Sequence, residues 1–234
     1  MTEGHEMRWG GFAGLASLVL AIAAGILLTG APRVTASSDA IALYLVESRG
    51  LIITAALLGT AALAMFVWFG ATLATAFRQA QPNSDAPAVV LAGFTITGAL
   101  GFLGASIIGG LTYAAAANPA LLDMIAAPYT ALHVMATIGG IAVALPLAAS
   151  AIAIARTSVL PQWAGWLSAL VAAVDVLAAI TVLSGSGIWA PGSALTAYVP
   201  LGLTALWGLA LSGLLIRERV PEIASRHHAV AGPA

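Results

Sequence analysis

The chain has 234 residues, of which 61% are hydrophobic and 7% are charged, and its net charge is −1. Soluble domains carry about a quarter charged residues, so this composition indicates a membrane protein and leaves no basic face for nucleic acid. Every basic residue is Arg and Cys is absent, which excludes Schiff-base and Walker-type sites, thiolate catalysis and Cys-based metal centres. The Ala, Gly and Arg bias is typical of a GC-rich bacterial genome.

Six apolar segments are long enough to cross a bilayer, which requires about 20 residues. Charged residues, Pro and Gly separate them. The segments are 9–29, 51–77, 87–116, 127–155, 163–184 and 195–216. The sequence therefore predicts an all-α, polytopic bundle of six transmembrane helices surrounded by lipid.

Two segments near the N-terminus need separate interpretation. The apolar run from Trp9 to Thr29 is longer than the region of about 7–15 residues found in signal peptides, so we expect a retained helix. Segment 36–48 begins with a Ser-Ser-Asp N-cap pattern and then places apolar residues at helical spacing. This pattern predicts a short amphipathic helix that lies on the membrane or on the bundle.

The arginine positions predict the orientation of the chain. If both termini are cytoplasmic, all arginines except Arg33 and Arg49 lie on the cytoplasmic side. Cytoplasmic loops of membrane proteins carry the excess of basic residues, so we expect this orientation, in a bacterial inner membrane. Residues 1–219 are predicted to form the transmembrane domain, and residues 220–234 a flexible cytoplasmic tail.

Small residues at regular steps mark two helix faces. They are Thr97, Gly101, Ala105 and Gly109 on span three, and Ala136, Gly140 and Ala144 on span four. Small-residue stripes let helix backbones approach closely. We therefore expect tight packing within the bundle, with a homodimer face as the alternative.

A proline interrupts span four. Pro146 removes one backbone donor and predicts a kink. Such a kink either opens a cavity between helices or is a passive bend.

Two ionisable residues, His133 and Asp175, fall within the predicted spans. Ionisable residues are rare in membranes and mark functional sites by default. At 1.5 Å per residue, Asp175 lies roughly 18 Å beyond Trp163, near the bilayer centre, and His133 lies about 34 Å from Arg156, near the far interface. Asp175 is either a proton carrier or a carboxyl group satisfied by nearby hydroxyls. His133 is either its partner or an interfacial histidine bonded to a carbonyl or water.

Three tyrosines complete the candidate ligand or proton pathway, because Tyr113, Tyr129 and Tyr198 are expected in the same outer region. One His and one Asp fall short of the three or four ligands that a metal requires, so no metal site is predicted, and the cofactor is left open. The Ser184–Gly187 segment resembles the Gly-flanked nucleophile of intramembrane serine proteases. No His follows on a later span to act as its base, so no catalytic residue is assigned.

The connection between spans four and five has a distinctive sequence. It reads Arg156-Thr-Ser-Val-Leu-Pro161-Gln-Trp163-Ala-Gly165-Trp-Leu167. This pattern resembles small bacterial six-helix integral membrane proteins grouped as a domain-of-unknown-function family, in which a basic residue, Pro, an aromatic and Gly-Leu join helices four and five. Here a Trp separates the Gly from the Leu. The resemblance implies the six-helix fold and the short helix before span two, but no activity.

Three functional hypotheses follow from the sequence. A non-catalytic role is favoured because no complete catalytic set is present: an accessory or structural subunit of a membrane complex, with other subunits or a second copy as partners, or a binder of a hydrophobic small molecule. The alternative is a small-solute or proton-coupled transporter that uses Asp175 and His133. An intramembrane enzyme ranks third.

Overall fold

The computed structural model describes residues 3–117, 124–157, 159–183 and 193–217. All the regular elements in these ranges are helices. They are α1 (Glu3–Leu27), α2 (Ser38–Glu47), α3 (Arg49–Ala80), α4 (Ala86–Ala117), α5 (Ala126–Ile138), α6 (Gly140–Arg156), α7 (Gln162–Ile180) and α8 (Ala194–Arg217), with a 3₁₀ turn at Thr181–Leu183. Six spans in these ranges are long and apolar enough to cross a membrane, with α5 and α6 forming one of them. The prediction of an all-α, six-span membrane protein is confirmed.

The short helix before the second span is also confirmed. The Ser37 side chain accepts a hydrogen bond from the Ala40 N–H at 3.3 Å and so caps α2. Ile41 and Leu45 are fully buried, and α2 packs against α3, α4 and α5. Of the two predicted locations, the helix therefore adopts the one on the bundle.

Span four, predicted over 127–155, is one apolar segment, Ala126–Arg156, composed of α5 and α6. Gly139 separates the two helices, but its φ of −56° and ψ of −19° are helical. The Gly139 N–H donates to the Met135 carbonyl, and the Gly139 carbonyl accepts from the Val143 N–H, so the irregularity is local. The predicted kink at Pro146 stays a prediction: this proline lies within α6, buried against Gly93 of α4.

The transmembrane helices form a closed ring in chain order. Each packs against the next, from α1 through α3, α4, α6 and α7 to α8, and α8 closes the ring against α1. Neighbouring helices are antiparallel, as the proximity of Gly10 to Thr72 and of Gly11 to Ile216 illustrates. The ring therefore has two chemically different ends. We call the end with Arg8, Arg78, Arg156 and Arg217 the arginine-rich end.

An aromatic cluster fills the ring on the side of the arginine-rich end. Phe69, Phe94 and Trp207 are each at most 1% exposed, and Phe66 packs beside them. The Phe69 and Trp207 rings meet edge to face with centroids 5.9 Å apart, a favourable aromatic geometry. Phe94 lies against Gly70, where a larger residue would collide with the ring. Aromatic side chains from α3, α4 and α8 therefore hold these three helices together at this level.

A smaller cluster lies at the opposite end of the ring. It consists of Ile41, Leu45, Ile52, Ala115, Ile125 and Tyr129. The Tyr129 hydroxyl donates to the Pro32 carbonyl at 2.8 Å, so a polar bond ties the first connection to α5.

Candidate functional site

The candidate site is centred on the Asp175 carboxylate. Asp175 lies on α7, is only 3% exposed, and accepts one hydrogen bond, from the Thr204 hydroxyl of α8 at 3.3 Å. Within the described parts of the chain it has no cationic partner. A buried carboxylate charge is costly unless it is paired, so this group needs a proton or a cation from outside the described structure to be neutralised.

The start of α6 lies directly beside this residue. A Cβ atom added at Gly140 would come within 2.7 Å of the Asp175 carbonyl oxygen, so only glycine allows the start of α6 to approach α7 this closely. This close helix contact and the acidic residue therefore lie at the same level of the bundle.

A second polar layer joins α7 and α8, the helices of Asp175 and Thr204, nearer the arginine-rich end. The Trp207 indole N–H donates to the Ser168 hydroxyl oxygen at 2.7 Å, and the Ser168 hydroxyl donates to the Ala164 carbonyl at 2.7 Å. Every polar atom of these two side chains has a partner. Trp207 also belongs to the aromatic cluster, so this layer closes the ring interior on one side of Asp175.

His133 bonds to a different set of partners. Its Nδ1 atom lies 2.9 Å from the Tyr129 carbonyl oxygen, and the two rings are 4.6 Å apart. The hydroxyl of Thr137 donates to the His133 carbonyl. His133 and Asp175 share no hydrogen bond or ion pair, so the structure does not bring the two predicted residues together.

The three predicted tyrosines also occupy separate environments. Tyr129 is buried in the smaller cluster. Tyr113 is 54% exposed and lies beneath the Arg49 guanidinium at 4.5 Å, a cation–π contact. Tyr198 is 71% exposed. These tyrosines do not surround Asp175.

Tyr44 was not predicted as a site residue, although its surroundings are unusual. Its hydroxyl is buried without a hydrogen-bond partner in the described residues, and burial raises its pKa above the ordinary value. A neutral phenol at this position is consistent with the apolar contacts of α2.

The predicted packing stripes can now be placed on the ring. On α4, Gly101 lies against Leu63 of α3 and Gly109 lies near Ile53 of α3, while Ala105 is half-buried. The Thr97 hydroxyl is buried without a partner in the described residues.

On span four, Gly140 contacts α7, Ala144 is buried and Ala136 is exposed. A role of either stripe in dimer formation stays a prediction.

Neither the hydrogen bond between Thr204 and Asp175 nor the one between Trp207 and Ser168 was predicted from the sequence. Single hydroxyl residues in apolar spans are common, and no spacing links α7 to α8. The Ser184–Gly187 segment and the 220–234 tail lie outside the described residues. Within the described ranges, no group of three His, Asp or Glu residues could hold a metal ion.

A separate apolar groove of about 830 Å³ is lined by residues of α4, α5, α6 and α7. Leu100, Met135, Ile138, Leu145 and Val176 line it, among other apolar residues. This apolar groove is therefore a second place where a small molecule could bind.

No protein-family model, curated protein or solved structure matches this chain. The resemblance of the connection between spans four and five to a family of small six-helix proteins therefore stays a hypothesis.

Proposed function

We propose that this protein is a membrane carrier that takes up a proton or a small cation at Asp175. The observation that supports the proposal is a carboxylate buried inside a ring of membrane helices without a cationic partner in the described residues. Intramembrane acidic residues of this kind serve proton relays and ion pathways. Of the two ionisable residues predicted within the spans, only Asp175 has a role in this proposal, because His133 shares no hydrogen bond or ion pair with it.

The surroundings of Asp175 favour a carrier over an open pore. Between Asp175 and the arginine-rich end, the ring interior is filled by Phe69, Phe94 and Trp207. An ion bound at Asp175 cannot pass this cluster without side-chain movement. The close contact between Gly140 and the Asp175 backbone lies at the level of the carboxylate, so a movement of α6 against α7 would change the surroundings of the acid.

Proton flux in proteoliposomes tests the proposal. After an external pH step, a pH-sensitive dye trapped inside should respond faster in wild-type vesicles than in empty vesicles. Asp175→Asn keeps the shape of the side chain but removes the acid, so it should reduce the rate to that of empty vesicles. Asp39→Asn, in the exposed first turn of α2, is the matched control and should match the wild type.

If the wild-type rate of proton flux equals that of empty vesicles, transport of another cation is tested next. The same vesicles are then assayed with a Na⁺ or choline gradient. If neither proton nor cation flux depends on Asp175, the carrier proposal is wrong.

Binding of a hydrophobic small molecule is the second candidate, and the apolar groove on α6 favours it. Native mass spectrometry of the protein from its own membranes tests this candidate: additional mass of a few hundred daltons would support it, and a bare chain would contradict it. The same experiment tests the accessory-subunit hypothesis, which expects a second polypeptide. A bacterial inner membrane and cytoplasmic termini stay predictions from composition and arginine positions.

A further inference from the structure

A second groove, at the arginine-rich end, has a polar lining. It has a volume of about 760 Å³ and lies between the 81–86 connection and α6. Its polar lining consists of Gln81, Asn83, Ser84, Asp85 and Arg156. The Gln81 side-chain N–H₂ group donates to the Arg156 carbonyl at 3.1 Å, so the connection is tied to the end of α6. This hydrogen bond therefore holds the two walls of the polar groove together.

The polar groove continues into the apolar groove. Leu145 and Ala148 of α6 line both. Together the two grooves form one continuous surface channel along α6. This channel is polar at the arginine-rich end and apolar toward the middle of the span. This division matches a molecule with a polar head and a hydrocarbon chain.

The charges at the polar end indicate what kind of head fits. Asp85 and Arg156 are both exposed, and they form no ion pair with each other or with another described residue. A phosphate can accept charge-assisted hydrogen bonds from the Arg156 guanidinium, and an ammonium can donate to the Asp85 carboxylate. A head group that carries both charges can pair with both residues. A purely anionic head group would place its negative charge close to the Asp85 carboxylate.

We propose that the channel along α6 binds a phospholipid whose head group combines a phosphate with a primary ammonium. The phosphate lies at Arg156, the ammonium lies at Asp85, and an acyl chain occupies the apolar groove. This inference deepens the hydrophobic-ligand candidate and is independent of Asp175.

Competition between two lipids tests the head-group assignment. The protein is reconstituted in vesicles with equal amounts of phosphatidylethanolamine and phosphatidylglycerol of identical acyl chains, then extracted, and its retained lipids are measured by native mass spectrometry. The wild type should retain mainly phosphatidylethanolamine. Arg156→Gln should lower this retention about tenfold, the effect expected from one charge-assisted hydrogen bond. Asp85→Asn should shift the preference toward phosphatidylglycerol.

Two control variants isolate the effect of position. Arg78→Gln removes an exposed arginine from the same end of the ring, and Asp39→Asn removes an exposed carboxylate from α2. Neither residue lines the channel. Both variants should retain lipid as the wild type does, and equal losses in the controls would overturn the assignment.

A third variant separates this inference from the hydrophobic-ligand candidate. Ala148→Trp fills the channel where its two parts meet and should abolish retention of both lipids, while Ala169→Trp on the exposed face of α7 should not. If Ala148→Trp acts but the charge variants do not change the lipid ratio, the head-group assignment is wrong and the groove still binds a hydrophobic molecule. If no variant changes retention, the lipid is an ordinary annular contact, and both fail.

Discussion

Two polar layers cross the interface between α7 and α8, and they are built differently. In the layer of Ser168 and Trp207, two 2.7 Å hydrogen bonds satisfy every polar atom, and the indole is packed within an aromatic cluster. In the layer of Asp175 and Thr204, a carboxylate has one 3.3 Å hydrogen bond and no described cationic partner. The first arrangement has the form of a structural element. The second arrangement leaves the Asp175 carboxylate free to bind a proton or a cation, as expected of a functional group.

Removing the aromatic anchor should have the largest effect on stability. Trp207→Ala should lower the free energy of unfolding by about 3–5 kcal/mol, because it leaves a cavity within the ring. Unfolding in mixed detergent and SDS, followed by circular dichroism, measures this change. Trp166→Ala, at a position 77% exposed, is the control and should change the stability little. Equal effects at the two positions would show that the cluster does not organise the bundle.

Removing the acceptor of the indole N–H should have an intermediate effect. Ser168→Ala should cost about 1–2 kcal/mol, toward the upper end for interhelical hydrogen bonds in membranes, because it leaves the buried Trp207 N–H unsatisfied. Ser150→Ala removes an equally buried hydroxyl that has no partner in the described residues, so it should be nearly neutral in the same assay. If Ser150→Ala proves as costly as Ser168→Ala, the hydrogen bond is not what distinguishes this layer.

Neutralising the carboxylate should affect stability least. Asp175→Asn should change the free energy of unfolding by less than about 1 kcal/mol, since interhelical hydrogen bonds in membranes average about 0.6 kcal/mol and Asn keeps an acceptor for Thr204. The same unfolding assay measures this, beside the flux assay in which the variant should be inactive. A loss of stability as large as that of Ser168→Ala would instead assign Asp175 a structural role.

The residues that were recognised from sequence are those with strong local signals. Ser37 and the pattern after it predicted α2, and long apolar runs between arginines predicted the spans, because helix caps and bilayer thickness act locally along the chain. Asp175 was recognised because an acidic residue in an apolar span is rare. Its partner Thr204 was not, since threonine is an ordinary residue in membrane helices and nothing in the sequence records which face of α8 meets α7.

The packing of span four shows a similar limit. Pro146 was the residue singled out from the sequence of this span, yet the close approach to α7 occurs at Gly140. Proline weakens a helix by its own chemistry, so it is visible in the sequence. The effect of Gly140 depends on a neighbouring backbone 35 positions along the chain.

The sequence by itself determined that this is an all-α membrane protein of six spans, because a backbone in lipid must satisfy its hydrogen bonds internally and each crossing requires about 20 apolar residues. It also determined that one carboxylate would lie deep in the membrane. Only the tertiary structure decided that the helices close into a ring, that aromatic rings fill one side of it, and that Asp175 meets Thr204 while His133 bonds elsewhere. Those contacts depend on the rotation and tilt of each helix, which follow from packing between distant segments and leave no periodic signal in the chain.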